Sequence, residues 1–262
     1  MRFLRLAFLA ASLLFSLHAL AAPTTADKVA PITHKVSPPS SADLFYAVKA
    51  DYSSFSMNGN TVVHWFSDGE RFSVLAETTT PSFGKLLESK SQGVINAYGL
   101  APTDLIEKRF RKPPHTVSFD RTNNVVRFSA SRQTYPIKGG EQDRTSITWQ
   151  IVSIARGTPA AVQSGTEWSF FVAGRKNAEA WTFRVLGEET VSTPLGNFSA
   201  IHIKKLPSKS RENQQLDLWL APSLDWYPVR MVFKDTKGID LYQTLQRIDR
   251  RGQAVANARQ AP

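Results

Sequence analysis

Apolar residues recurring at every second position constrain this chain more than any other feature. Leu216, Leu218 and Leu220 recur at this spacing, then Val229, Met231 and Phe233, then Ile239, Leu241 and Leu245. A period of two puts each set on one face of a strand. The connection Asp235-Thr236-Lys237-Gly238 fits a type I turn closed by glycine at positive φ. A meander of this kind requires an antiparallel sheet with one buried face. The strand–helix alternation needed for a long parallel sheet is missing.

The same grammar runs upstream. Val62 to Phe66 and Arg71 to Leu75 flank Ser67-Asp68-Gly69-Glu70. Asp-Gly favours a two-residue type I′ turn, which would set Trp65 opposite Phe72 and Val63 opposite Val74, all four on one face. Residues 86–99 and 107–110 read as extended pieces around a turn at Gly99-Leu100-Ala101-Pro102. Residues 117–119 and 125–128 read as a second hairpin, and residues 167–173 and 180–186 as a third around Gly174 to Asn177. Pro194-Leu195-Gly196-Asn197 is a turn into an extended piece over 198–205.

One segment changes period. Ile147, Ile151, Ile154 and Ala155 share a helical face, Asp143 is a suitable N-cap, and Gly157 with Pro159 ends the run. The expected fold is mainly β: a curved antiparallel sheet, or a partly open β-barrel, of about ten strands with one helix at about 143–156 packed against it.

The ends carry different information. Arg2 and Arg5 precede an apolar run over 6–17, and Ala19-Leu20-Ala21 is a small-x-small cleavage site. That order reads as a secretory signal peptide over 1–21, too short to span a bilayer. Residues 22–42, rich in Pro, Thr, Ser and Ala, read as a flexible leader; 43–250 as a single domain; and 251–262 as a flexible tail. The expected location is the periplasm, with no transmembrane segment in the mature chain. There is no cysteine, so disulfides, thiolate catalysis, cysteine-built zinc sites and a lipid-anchored N-terminal cysteine are all excluded. The formal net charge of +10 suits an anionic surface. Basic residues gather at Lys108-Arg109-Phe110-Arg111-Lys112 and from Lys204 to Arg211, without the aromatic motifs of a nucleic-acid module.

Several short stretches occur together in order: Gly99-Leu100-Ala101-Pro102, Phe119-Asp120, Gln142-Asp143-Arg144-Thr145-Ser146, Thr193-Pro194-Leu195-Gly196, and Asp217-Leu218-Trp219-Leu220-Ala221-Pro222 followed by Tyr227-Pro228-Val229. On these the chain resembles, from about Leu44 to Ile248, the exported Gram-negative proteins grouped as domain of unknown function 3108. The resemblance implies a periplasmic, mainly β protein and brings no activity with it.

Catalytic motifs are sparse. There is no Gly-x-Ser-x-Gly elbow, no His-Glu-x-x-His and no Gly-rich phosphate loop. His34, His64, His115 and His202 lack a second histidine at ligand spacing, and Asp68 with Glu70 sits on a hairpin tip. No catalytic residue, metal site or cofactor is expected. Gln142, Asp143 and Arg144 could hold an anion at a helix start, although Asp143 would compete for the same amides. Among six tryptophans, Trp219 falls out of register with Leu218 and Leu220, so it and Asp217 should lie on the opposite sheet face. Trp181, Phe183 and Trp219 are the expected lining of an apolar groove. The leading expectation is a non-catalytic binding or envelope-assembly factor for a lipid-like or hydrophobic ligand. The alternatives are a protein-interaction module of an envelope complex and a hydrolase of envelope glycan or lipid. The oligomeric state is not readable.

Overall fold

The computed structural model describes residues 31–52, 55–208, 214–234 and 238–251. The expected signal peptide and all of the expected tail except Arg251 lie outside them. Among the described residues fifteen strands form one curved sheet. The strands are β1 (Ala42–Tyr52), β2 (Phe55–Ser67), β3 (Arg71–Thr80), β4 (Gly84–Asn96), β5 (Gly99–Arg109), β6 (His115–Asp120), β7 (Val125–Phe128), β8 (Ser131–Pro136) and β9 (Gln142–Asp143). After the helix α1 (Ser146–Gly157) come β10 (Glu167–Ala173), β11 (Ala178–Thr193), β12 (Gly196–Lys205), β13 (Gln215–Leu220), β14 (Pro228–Lys234) and β15 (Ile239–Arg250). The spatial order runs from β8 back to β1, then from β15 back to β9. Every pairing is antiparallel except β9 with β10.

The count exceeds the expected ten. β8 is almost wholly polar, an edge strand with only Ser131 and Tyr135 half-buried, so alternation does not reveal it. The hairpin at Asp68 is also wider than a type I′ turn. Ser67 pairs with Phe72, leaving four residues in the loop, and Asp68 Oδ1 accepts the amides of Glu70 and Arg71. Trp65 therefore opposes Val74, and Val63 opposes Ala76. A shift of two preserves facing, so Trp65, Phe72, Val63 and Val74 still share the buried side. Gly99-Leu100-Ala101-Pro102 is not a turn but the start of β5. The turn lies at Ala97-Tyr98, and Gly99 closes it at φ 97°. Proline is accepted there because β6 first pairs with β5 at Asp104, and a bulge interrupts the β4 ladder beside Pro102.

The sheet rolls until its ends overlap. Leu105, Val117, Phe119, Val126 and Phe128 from β5–β7 pack on Phe171, Ala173 and Ala178 of β10 and β11. This seam is closed by packing, with Tyr135 edge-on to Phe171 at 5.3 Å between ring centroids. The helix lies inside the roll. Its expected face of Ile147, Ile151, Ile154 and Ala155 meets Trp168, Phe183, Val185, Ile203 and Leu218. The other side is buried as well: Trp149 stacks on Trp65, and Gln150 accepts the Leu100 amide and donates to the Tyr98 carbonyl. A helix enclosed on all sides explains why its apolar stripe is wide.

Helix α1 starts at Ser146, three residues later than expected. Thr145 occupies the N-cap position without a side-chain cap bond. Asp143 caps from outside, its Oδ1 accepting the amides of Thr145 and Ser146. Residues 31–41, part of the expected leader, lie against the helix and the sheet. Ser37 donates its amide to Ser153, Trp65 Nε1 donates to the Pro39 carbonyl, and Arg156 reaches Asp225 and the Ser37 hydroxyl. A side chain at position 157 would collide with the Lys35 carbonyl, so Gly157 lets the strap pass.

Candidate functional site

A cavity of about 610 Å³ opens between the first turn of α1 and one rim of the roll. Its floor is Trp149, Thr148, Tyr46 and Pro228. Tyr46 is fixed by a hydrogen bond from its hydroxyl to the Pro228 carbonyl. The walls come from β2, β3, β14 and β15: Val63, Val74, Ala76, Met231, Phe233 and Leu241. Polar wall atoms largely satisfy one another. Thr61 and Thr78 share a 2.8 Å hydroxyl contact, and Ser89 Oγ meets Thr145 Oγ1 at 2.6 Å. A void of this size lined chiefly by apolar side chains falls in the range of small-molecule sites.

The mouth is different. Leu86, Leu87 and Phe110 edge it, with Arg109 and Lys112 beside them and Arg144 above, at the start of the helix. Register places Glu107 and Arg109 on the inner face, opposite Ser89 and Leu87. Glu107 accepts Arg109 Nε at 2.5 Å and lies 3.9 Å from His115 Nε2. Arg109 and Lys112 against the single carboxylate of Glu107 leave the mouth positive, while the Arg144 guanidinium packs against Gly174. Burial lowers the His115 pKa against the pull of Glu107, so this imidazole adds no charge at neutral pH.

The sequence-derived candidates separate. Arg144 lines the cavity; Trp181, Phe183, Trp219, Asp217, Gln142 and Asp143 do not. Trp181 and Phe183 belong to the packed helix core. Trp181 donates its indole to Glu179 Oε1, and Lys205 Nζ stands 5.0 Å from its ring. Lys205 is buried, which lowers its pKa, and it donates to the Gln214 carbonyl. Gln142 and Asp143 fasten the helix start to the sheet: Gln142 Nε2 donates to the Leu100 carbonyl, and Ser91 Oγ donates to Asp143 Oδ2 at 2.5 Å. Burial raises the Asp143 pKa to about 6 despite these donors.

Trp219 and Asp217 lie on the other side of the sheet from the helix, as their register requires. Trp219 stacks on His202 at 4.1 Å and donates to Glu189 Oε2. His202 is held between Glu189 and Asp217, 2.8 Å from each. With both ring nitrogens engaged, it has no vacant position from which to serve a nucleophile. His64 is similarly held by Asp43 at 2.8 Å. Among the described residues no group of three or more His, Cys, Asp or Glu side chains is arranged to hold a metal, and no helix is long and apolar enough to cross a membrane.

Sequence reasoning missed Tyr46, Ala76, Met231, Phe233 and Arg109. The void has a signature, but one that emerges only once the strand register is known. Inward positions on adjacent strands carry small residues, namely Thr61, Ala76, Thr78 and Ser89, where a filled core would carry large ones.

A solved β-barrel-like protein of domain of unknown function DUF1849 from Brucella abortus is similar in fold, with a TM-score of 0.51 and 12% identity over 84% of this chain and 100% of that one. A putative lipoprotein from Parabacteroides distasonis aligns at a TM-score of 0.37 and 14% identity, over 83% of this chain and 99% of that one. No curated protein matches the sequence. The family of proteins of unknown function DUF3108 matches residues 41–245, nearly the whole of the rolled sheet, and the chain belongs to it.

Proposed function

We propose that this protein is a non-catalytic periplasmic binding factor for an anionic amphiphile, holding the acyl chain in the cavity and the head group at Arg109 and Lys112. The observation that carries this reading is the pairing of an apolar interior of about 610 Å³ with a positive mouth. Burying a chain of about ten methylenes gains roughly 8 kcal/mol before association and ordering costs. Association and ordering costs offset much of this gain, so retention also draws on the charged contacts at the mouth. The export-type N-terminus and the basic balance of the chain agree with a role among anionic envelope components.

The test is native mass spectrometry of protein taken gently from its own periplasm, with displacement of a fluorescent fatty acid as a second readout. An adduct of lipid mass, displaced by added fatty acid, is expected. Ala76→Trp fills the void from a wall position that faces it, so it should abolish probe binding with little loss of stability. A chain that carries no adduct and binds no probe overturns the reading and turns the search to a protein partner.

A further inference from the structure

The cavity opens at the rim where β1, β3 and β5 end and β2, β4 and β6 begin. The antiparallel register fixes this, because Tyr52 opposes Phe55, Thr80 opposes Gly84, and Arg109 opposes Leu87 near the start of β4. Each of these strand ends carries an exposed phenylalanine: Phe55, at the start of β2, is 60% exposed, Phe83 52% and Phe110 39%. Phe83 and Phe110 meet across the rim with ring centroids 6.0 Å apart. Three phenylalanines left this exposed at one rim, beside an apolar opening, call for a partner that accepts them.

The charges around these rings specify that partner. Lys108, Arg109, Arg111 and Lys112 follow one another through the end of β5 and its loop, all exposed. The Arg111 guanidinium lies 4.9 Å over the Phe110 ring, so cation and aromatic present a common surface. Lys85 is already occupied by Glu77 and Glu88, and Arg109 by Glu107, so both are left out of this count. Shallow aromatic wedges inside a ring of cations match an anionic bilayer: the rings enter the acyl boundary while the cations meet the head groups. A protein groove would offer no comparable reason for cations and wedges to surround the opening of an apolar cavity.

We infer that this rim docks on an anionic lipid surface, with Phe55, Phe83 and Phe110 inserted and the 108–112 basic run on the head groups, so that the cavity faces the membrane it loads from or delivers to. The inference rests on the cavity reading for its purpose, but the surface can be tested apart from it.

The experiment is flotation of the exported chain with vesicles of phosphatidylcholine containing 30 mol% phosphatidylglycerol, and with vesicles of phosphatidylcholine alone, at about 50 mM and about 500 mM salt. Binding to the anionic vesicles is expected, at least tenfold stronger than to the neutral ones and lost at the higher salt. Phe55→Ser combined with Phe83→Ser should weaken it at least tenfold. Neither residue lines the cavity, so this variant should keep its full affinity for the fluorescent fatty acid in solution, which also reports that it is folded. Equal binding to neutral vesicles, no binding to either, or an unaffected double variant overturns the docking surface and leaves the cavity reading standing. Loss of fatty-acid binding by the wild-type chain, with flotation intact, overturns the cavity reading instead.

Discussion

Trp149 lies flat on Trp65, with ring centroids 4.2 Å apart and planes within 2° of parallel. This stack joins the helix to β2 and forms the inner limit of the cavity, since Trp149 lines it while Trp65 is fully buried behind. Trp149→Ala removes one of the largest side chains of the core and should cost about 3–5 kcal/mol. Trp149→Leu keeps an apolar plug of smaller volume and should deepen the cavity. Urea unfolding checks the first. A shift of the preferred fatty acid toward longer chains checks the second.

At the mouth, charge rather than shape should sort ligands. Replacing Arg109 and Lys112 with Gln leaves the apolar walls intact and removes two of the three lining cations. Affinity for a fatty acid should fall about tenfold, or about 1.4 kcal/mol. Affinity for a fatty alcohol of the same length should stay unchanged. Competition with the fluorescent probe at constant ionic strength measures both. An equal fall for acid and alcohol would mean that the two side chains shape the opening instead.

The outer cluster at His202 predicts a pH dependence of stability without a role in binding. Burial works to lower the His202 pKa, but hydrogen bonds to Asp217 and Glu189 outweigh it and the net shift is upward. A histidine raised in the folded state contributes its full stability below the unfolded value of 6.5, and loses it as pH rises through the higher folded value. Melting temperature should therefore decline as pH rises above 6.5, and His202→Gln should flatten that decline. Trp219→Ala removes the stacked ring from the same cluster. It should lower stability modestly while leaving fatty-acid affinity unchanged, because Trp219 does not line the cavity.

How far the sequence reveals this molecule depends on the range of the contacts involved. Period-two alternation identifies the meander and most hairpins because strand facing is a local property. It survives even the two-residue error at Asp68, since shifts of two keep Trp65 and Val74 on the same side. Gly99-Leu100-Ala101-Pro102 misleads because a glycine and a proline three apart resemble a turn, whereas the interrupted ladders around Pro102 depend on β4 and β6. The cavity is harder still. Tyr46, Ala76, Phe110, Trp149 and Phe233 come from distant parts of the chain and meet only because the sheet rolls. Large aromatics drew the eye to Trp181, Phe183 and Trp219, yet two of them fill space around the helix and the third covers a histidine. A binding void is marked by what is small, and a single sequence does not show which small residues will face one another.

Asp143 is where the roll, the helix and the cavity roof are tied together, so its substitution should reach furthest. Its carboxylate accepts Ser91 Oγ from β4 and the amides of Thr145 and Ser146 at the helix start. Asp143→Ala leaves all three donors unpaired in a buried place and should cost about 2–4 kcal/mol. It should also loosen Arg144 and Thr145, which line the cavity, and so weaken ligand binding alongside stability. Burial raises the Asp143 pKa from 3.8 to about 6, so the folded chain holds a proton across that interval which the unfolded chain has released. Stability from this group is full below pH 3.8 and falls as pH rises through 6, by roughly 3 kcal/mol in all. Asp143→Asn keeps one acceptor oxygen and no titration. Urea midpoints between pH 4 and 7 should show the slope in the wild type and its loss in Asp143→Asn. An unchanged slope in Asp143→Asn would assign it to another buried acid.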